Sequence, residues 1–324
     1  MTATQGGRRR PYTAGPVPGP RSRRSLLLAL CAAVTGALVA APAAHAGLFF
    51  PESGGSPNAD SIKTLYILIF VLALIIFIAV EGLLVYSLIK YRARKGQVAA
   101  QIHGNTPLEI GWTVGAACIL IFITVFTFIK LGAIKDPKPS EGSAQVALAD
   151  GTLLASTDQT TPPGPVLRMH VDGQQYVWAY QYPSAQKSIR SYVDMVVPVG
   201  MTVILDITAD DVAHSWWIPK LGGKMDAIPG YHNKSWFQIP SKNLESGPNR
   251  TRYAGMNAVL YNGQCAELCG RNHANMLARV IGVSPQDFDT WVDRKAQAIK
   301  QAQTDVAKQQ KALQQQQSEQ GQTP

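Results

Sequence analysis

Two apolar runs constrain this chain more than any other feature. Ile62 to Ile89 is almost unbroken in apolar residues, and a second run extends from about Leu108 to Leu131. A bilayer core needs about 20 such residues to cross it as a helix. In lipid the backbone polar groups must be satisfied within the segment, so both runs are expected to be helices, about 62–89 and 108–131. Lys90, Arg92, Arg94 and Lys95 follow the first run at once. Such a short basic loop is expected to stay in the cytoplasm. The hairpin then puts everything after residue 135 on the extracytoplasmic side, which describes a multi-pass membrane protein. Glu81 interrupts the first run and is expected to face protein or water rather than lipid. Cys118 lies mid-span and reads as a packed small residue.

The formal net charge is +9. Six arginines and no acid fall within residues 1–46, so the remainder carries only +3. With no supporting motif, a nucleic-acid partner is not expected. Arg21-Ser22-Arg23-Arg24, the apolar run Leu26 to Val39, and Ala44-His45-Ala46 read as a signal peptide over 1–46, cleaved after Ala46. Cys31 would leave with it. Residues 47–60 are a Gly/Ser/Pro-rich lead-in, and 47–135 form the hairpin domain.

Thr106 is expected to cap the second helix, with Pro107 at its first position and Glu109 bonding free N–H groups of the first turn. Residues 136–165, rich in Pro, Gly, Ser and Thr, read as a linker. Short β-rich runs follow at 166–171, 174–182, 191–197, 202–208, 235–239, 252–260 and 278–283. This spacing predicts an all-β sandwich or barrel over 166–283. The tail, 284–324, begins with a helix from Ser284-Pro285 that is anchored by Phe288 and Trp291. From Ala296 it becomes Gln/Lys/Ala-rich, which predicts a solvated, fraying helix.

The chemistry concentrates in Gly263 to Met276, where Cys265, Cys269, His273 and Met276 are spaced Cys-x3-Cys-x3-His-x2-Met. His214 lies upstream, in Asp211 to Pro219, which reads as a strand end running into a loop. Thiolate and thioether are soft ligands that favour copper. Two cysteines could instead close a disulfide, and two His with two Cys could hold structural zinc. The residues leave all three open, although the methionine is a ligand zinc does not need. Gly263 and Gly270 flank the cysteines, and each is expected to permit a turn.

Asp211 to Pro219, Lys224 to Gly230, Gly263 to Met276 and the two membrane runs together resemble subunit II of the haem-copper, cytochrome c oxidase type. The resemblance spans roughly 60–135 and 165–283. It implies a two-helix transmembrane hairpin plus an all-β cupredoxin-like Greek-key domain in a bacterial cell membrane. It also implies a binuclear copper centre (CuA) held by His214, Cys265, the backbone carbonyl of Glu267, Cys269, His273 and Met276. Through its side chain, Glu267 would share a magnesium ion with subunit I. The implied function is that of subunit II of an aa3-type oxidase (EC 7.1.1.9, an oxidoreductase and translocase). It accepts electrons from cytochrome c and passes them to haem in subunit I, where oxygen is reduced to water with proton translocation. Partners would be subunit I, further oxidase subunits, cytochrome c and lipid.

Glu109 resembles the acid at the mouth of a proton pathway into the catalytic subunit. Where the family has a Trp-rich strand beside the copper, this chain has Gly173-Gln174-Gln175-Tyr176-Val177-Trp178. Tyr176 therefore stands at the electron-accepting position, and Trp178 matches the family's second Trp. Asp211, Lys224 and Asp226 lie in the matched stretches as loop hydrogen-bonding groups or as contacts to haem propionates. Residues 166–283 hold 11 Lys and Arg against 8 Asp and Glu. Without an acidic docking face, the expected donor is a weakly charged or membrane-attached cytochrome c. A membrane-tethered copper carrier and a nitric oxide reductase subunit are the rival readings. A quinol oxidase subunit, by contrast, would lack the ligands.

Overall fold

The structure, a computed structural model, describes residues 50–92, 96, 98, 101–142, 162, 165–183 and 189–320. The expected signal peptide with Cys31 lies outside the described residues. So do Arg94, Lys95 and most of the expected linker.

Both apolar runs are helical, and each helix overshoots its run. α1 spans Pro57–Lys90 and α2 spans Thr106–Lys135. At 34 and 30 residues and about 1.5 Å per residue, each exceeds the roughly 30 Å of a bilayer core. Their apolar side chains are exposed along most of their length, as lipid or partner helices require. The cap of α2 differs by one residue from the expectation. Asn105, not Thr106, is the N-cap, and its side chain accepts from the Leu108 N–H at 3.2 Å. Glu109 accepts from the Asn105 N–H at 3.2 Å, so two N–H groups at this end are satisfied reciprocally.

The β domain is a sandwich of two mixed sheets. Its strands are β1 Val166–Gln174, β2 Val177–Gln181, β3 Arg190–Tyr192, β4 Asp194–Pro198, β5 Thr202–Ala209, β6 His214–Trp217, β7 Met225–Ala227, β8 Asn233–Gln238, β9 Arg250–Tyr253, β10 Met256–Cys265 and β11 Leu277–Val283. One sheet runs β3-β2-β1-β5-β8 and the other β4-β11-β10-β6-β7, with β9 beside β10. The pairs β1/β5 and β4/β11 are parallel, so the chain crosses between sheets in the Greek-key manner of a cupredoxin-like fold. Val171, Trp178, Leu205 and Ile207 of the first sheet face Trp216, Val259, Tyr261 and Val280 of the second in one buried core.

Three expected strands are interrupted, and two of them prove to be two strands each. Run 174–182 breaks at a turn at residues 175–176, run 191–197 at Val193 and run 252–260 at Ala254-Gly255. Val193 and Ala254 adopt left-handed backbone, with φ of 65° and 48°. A short α3, Lys242–Ser246, precedes β9. The tail is one continuous helix, α4, Pro285–Gln320. Ser284 caps it, accepting from the Asp287 N–H and donating to the Asp287 carboxylate. Phe288, Trp291 and Val292 are buried, and the stripe continues through the half-buried Ala296 and Ile299. Beyond residue 300 the described helix is fully exposed.

The described residues of the lead-in and of the segment just after α2 are anchored to the β domain. Ser56 and Asn58 are buried against β8. The Asn58 amide donates to the Trp236 carbonyl (2.7 Å), and the Gln238 N–H donates to the Ser56 hydroxyl (3.0 Å). From the other side, the Trp236 indole donates to the Ile134 carbonyl (2.9 Å) and the Thr202 hydroxyl to the Lys138 carbonyl (2.6 Å). Both ends of the hairpin are thus sewn to the β5–β8 side of one sheet.

Candidate metal centre

β6 and β10 build the site between them. Trp216 pairs with Cys265 across the two strands, which sets His214 at the start of β6 beside Cys265 at the end of β10. The loop Ala266–Met276 then folds back. Its base is closed by the Cys265 N–H donating to the Met276 carbonyl (2.9 Å), and the Ala266 N–H donates to the Ser215 carbonyl (2.9 Å). A single 3-10 turn, His273–Asn275, presents His273 and hands the chain to Met276.

Six donors converge as a result. Cys265 Sγ and Cys269 Sγ stand 3.9 Å apart. His214 Nδ1 is 3.8 Å from Cys265 Sγ, and His273 Nδ1 is 3.6 Å from Cys269 Sγ. Met276 Sδ is 3.8 Å from Cys269 Sγ, and the Glu267 carbonyl oxygen is 3.2 Å from Cys265 Sγ. His214, Cys265, Cys269 and Met276 are buried, His273 is half-buried and Glu267 is exposed.

The sulfur spacing bears on the three chemistries the sequence leaves open. A disulfide needs an S–S distance near 2.05 Å, whereas these cysteines are free and 3.9 Å apart. Burial, and then the neighbouring Cys265 sulfur, push the Cys269 thiol up to about 11. The Cys269 thiol therefore resists ionising unless a cation lies beside it. Thiolate, thioether and imidazole together form a soft donor set that suits copper, and they exceed the four ligands of a closed structural zinc site.

The supporting contacts come from outside the ligand loop. Asp211 Oδ1 lies 2.9 Å from His214 Nε2, so a neutral imidazole keeps its proton there and leaves Nδ1 free for a metal. Partial burial raises the Asp211 carboxyl. The N–H groups of Gln175 and Val212, together with the His214 ring, outweigh that and hold it below its ordinary value. The Gln175 amide donates to the Cys269 carbonyl (2.6 Å). The turn between β1 and β2 therefore roofs the ligand loop, and the half-buried Tyr176 packs on Gly270, where a Cβ would lie 2.7 Å from its hydroxyl oxygen. Trp178 is fully buried and meets the His214 ring edge-on at 5.8 Å.

Gly270 has the turn conformation expected of it, with φ of 129°. Gly263 does not lie in a turn. It sits within β10, where a Cβ would come 2.1 Å from the Trp217 carbonyl oxygen. Glu109 is exposed at the far end of α2 and takes no part in this centre. Lys224 lies over the Trp217 ring at 5.1 Å, and the backbone carbonyl of the exposed Asp226 accepts from the Asn233 amide.

Residues 43–129 match the family model described as cytochrome C oxidase subunit II, transmembrane domain, and 187–283 match its periplasmic domain. A cytochrome c oxidase subunit 2 of Thermostichus vulcanus is 32% identical over 285 residues, covering 79% of this chain and 80% of that protein. One of Alkalihalophilus pseudofirmus is 30% identical over 257 residues, covering 78% of this chain and 64% of that protein. The present chain thus spans less than two thirds of the latter relative's length. A solved periplasmic domain of subunit II of the Bradyrhizobium japonicum cytochrome oxidase is 28% identical, with a TM-score of 0.35, and covers 42% of this chain and 96% of that one.

Proposed function

Because the chain belongs to the cytochrome c oxidase subunit II family, and is a membrane protein with two helices long and apolar enough to span a bilayer, we propose that it is the electron-accepting subunit of an aa3-type oxidase. It takes electrons from cytochrome c and delivers them to haem in subunit I, as part of the proton-translocating enzyme EC 7.1.1.9. The orientation puts the β domain outside a bacterial cell membrane, with a signal peptide over 1–46 removed.

The observation that carries this reading is the convergence of the six donors around two sulfurs 3.9 Å apart. Cys265 and Cys269 would bridge a binuclear copper centre. His214 and His273 would each hold one side, and Met276 and the Glu267 carbonyl would be weaker ligands. When bound, such a pair supplies a one-electron carrier whose charge change is spread over two metals. The protein keeps the donors fixed through the β6–β10 pairing and excludes water by burying Cys265, Cys269 and Met276.

Tyr176 offers a partly exposed ring over the ligand loop, with Trp178 behind it against His214. These two form the proposed gateway. Leu268, 79% exposed on the same loop, gives the docking face an apolar point suited to a weakly charged cytochrome c. Glu267 is exposed although its carbonyl oxygen lies 3.2 Å from Cys265 Sγ, so its carboxylate would be accessible to a magnesium ion shared with subunit I. Glu109 holds one backbone N–H yet stays exposed, so it remains free to open a proton path in that partner.

The test is copper content and electron paramagnetic resonance of the full chain in detergent. The expected result is two coppers per chain and one unpaired electron split by both nuclei. Cys269→Ser should remove that pattern. A single copper with a mononuclear spectrum in the unaltered protein would end the oxidase reading.

A further inference from the structure

A second group of metal-binding side chains lies on the other sheet. His170 of β1, Asp206 of β5 and His232, just before β8, bring ligand atoms within 4.8 Å of one another. Asp206 is the centre of the group. Its Oδ2 is 3.1 Å from His170 Nδ1 and 3.0 Å from His232 Nδ1, and its Oδ1 is 3.1 Å from His232 Nδ1. The two rings are stacked at 5.7 Å. Sheet register produces the arrangement, because His170 pairs directly with Asp206 in the parallel β1/β5 ladder.

The other face of His170 makes this more than a surface ion pair. Its Nε2 is 3.0 Å from Asp172 Oδ1, and Asp172 is buried. Both ring nitrogens therefore face carboxylates. A neutral imidazole has one N–H and can serve only one of them. If Nε2–H serves Asp172, the Nδ1 lone pair is aimed at an anionic oxygen, and a cation placed between the two would relieve that opposition. A histidine whose remote nitrogen is held by a carboxylate is the usual arrangement of a metal ligand, because that hydrogen bond fixes the tautomer and raises its basicity.

We propose that His170, Asp206 and His232 form a second metal site, for a borderline divalent transition ion of the Zn2+ class, with Asp172 positioning His170. Two imidazoles and one carboxylate are the donors such ions take. Donors 3.0–3.1 Å apart around an ion at about 2.1 Å stand near a right angle. That suits an open coordination sphere completed by water. The site adjoins a recess of about 510 Å³, which admits water and the ion. His170 and His232 are 32% and 57% exposed, so access needs no rearrangement. Arg168 and Lys234 line the same recess, and their positive charge lowers the affinity for a cation. A bound ion would tie β1, β5 and the approach to β8 together on the sheet that does not carry the cysteine centre.

The proposal is independent of what the cysteine centre binds. The test is isothermal titration of Zn2+ into the untagged full chain in detergent, its cysteine centre loaded with copper beforehand. One equivalent should bind while the visible absorption of the copper stays constant. His232→Ala and Asp206→Asn should each weaken binding tenfold or more. Asp172→Asn should weaken it about tenfold by releasing His170. His232 is largely exposed, so its variant is expected to fold, and an unchanged circular dichroism spectrum checks this. No binding beyond the copper centre would mean that a proton alone bridges the group. Either that result or full binding in both ligand variants would overturn the proposal.

Discussion

Asp211 decides which nitrogen of His214 is available, and it does so from outside the donor set. Its Oδ1 sits on Nε2 at 2.9 Å while two backbone N–H groups fix the carboxylate. Asp211→Ala should leave the fold intact and lower copper affinity about 10- to 100-fold, as measured by competition with a copper chelator. Asp211→Asn should recover part of the loss, because an amide oxygen still accepts from Nε2–H. Equal affinity in all three proteins would remove Asp211 from the site. The ligands themselves were legible in the sequence, since five of the six fall within the twelve consecutive residues 265–276. Asp211 was legible only as a member of a matched stretch. The grouping of His170 with Asp206 and His232 was not legible, because 36 and 62 residues separate them and only the packing of β1, β5 and the approach to β8 brings them together.

Among the elements, β10 is the least tolerant. Gly263 lies where β10 passes Trp217, and a methyl group there would meet a backbone oxygen at 2.1 Å and Ile218 Cδ1 at 2.4 Å. Gly263→Ala should therefore cost about 3 kcal/mol or more by chemical denaturation, since overpacking against backbone cannot be relieved by a side-chain turn. A loss under 0.5 kcal/mol would show that β6 moves aside. In α4, Phe288→Ala should cost about 3–5 kcal/mol. Deleting residues 304–324 should change stability by no more than about 0.5 kcal/mol, because the described part of that stretch is exposed. The sequence marked most strands through their β-branched runs. It did not mark the breaks at Val193 and Ala254, whose left-handed backbone carries no glycine signal at the residue itself.

At the scale of the molecule, buried phenols set the alkaline limit. Burial, assisted by Asp194, pushes Tyr253 up to about 12, and burial raises Tyr182 and Tyr261. A folded-state value above the unfolded value of about 10 means the native state binds these protons more tightly. Their contribution is complete below pH 10 and is lost as pH rises toward 12. Denaturation midpoints of the copper-loaded chain should hold up to about pH 10 and fall steeply above it. An unchanged midpoint at pH 12 would contradict the burial of these groups.

The attachment of the hairpin to β8 carries one more consequence. β8 closes its sheet and, among the described residues, has no strand on its outer side. The Trp236 carbonyl and Gln238 N–H point outward there and are occupied by Asn58 and Ser56. Side chains from the foot of a membrane helix thus take the place of a neighbouring strand. A β domain cut free at residue 165 would carry a bare, hydrogen-bonding border, the kind of surface on which a second copy can add itself strand to strand. The hairpin is therefore a guard against self-association as well as an anchor, and a soluble fragment of this protein should be judged first by whether it stays monomeric.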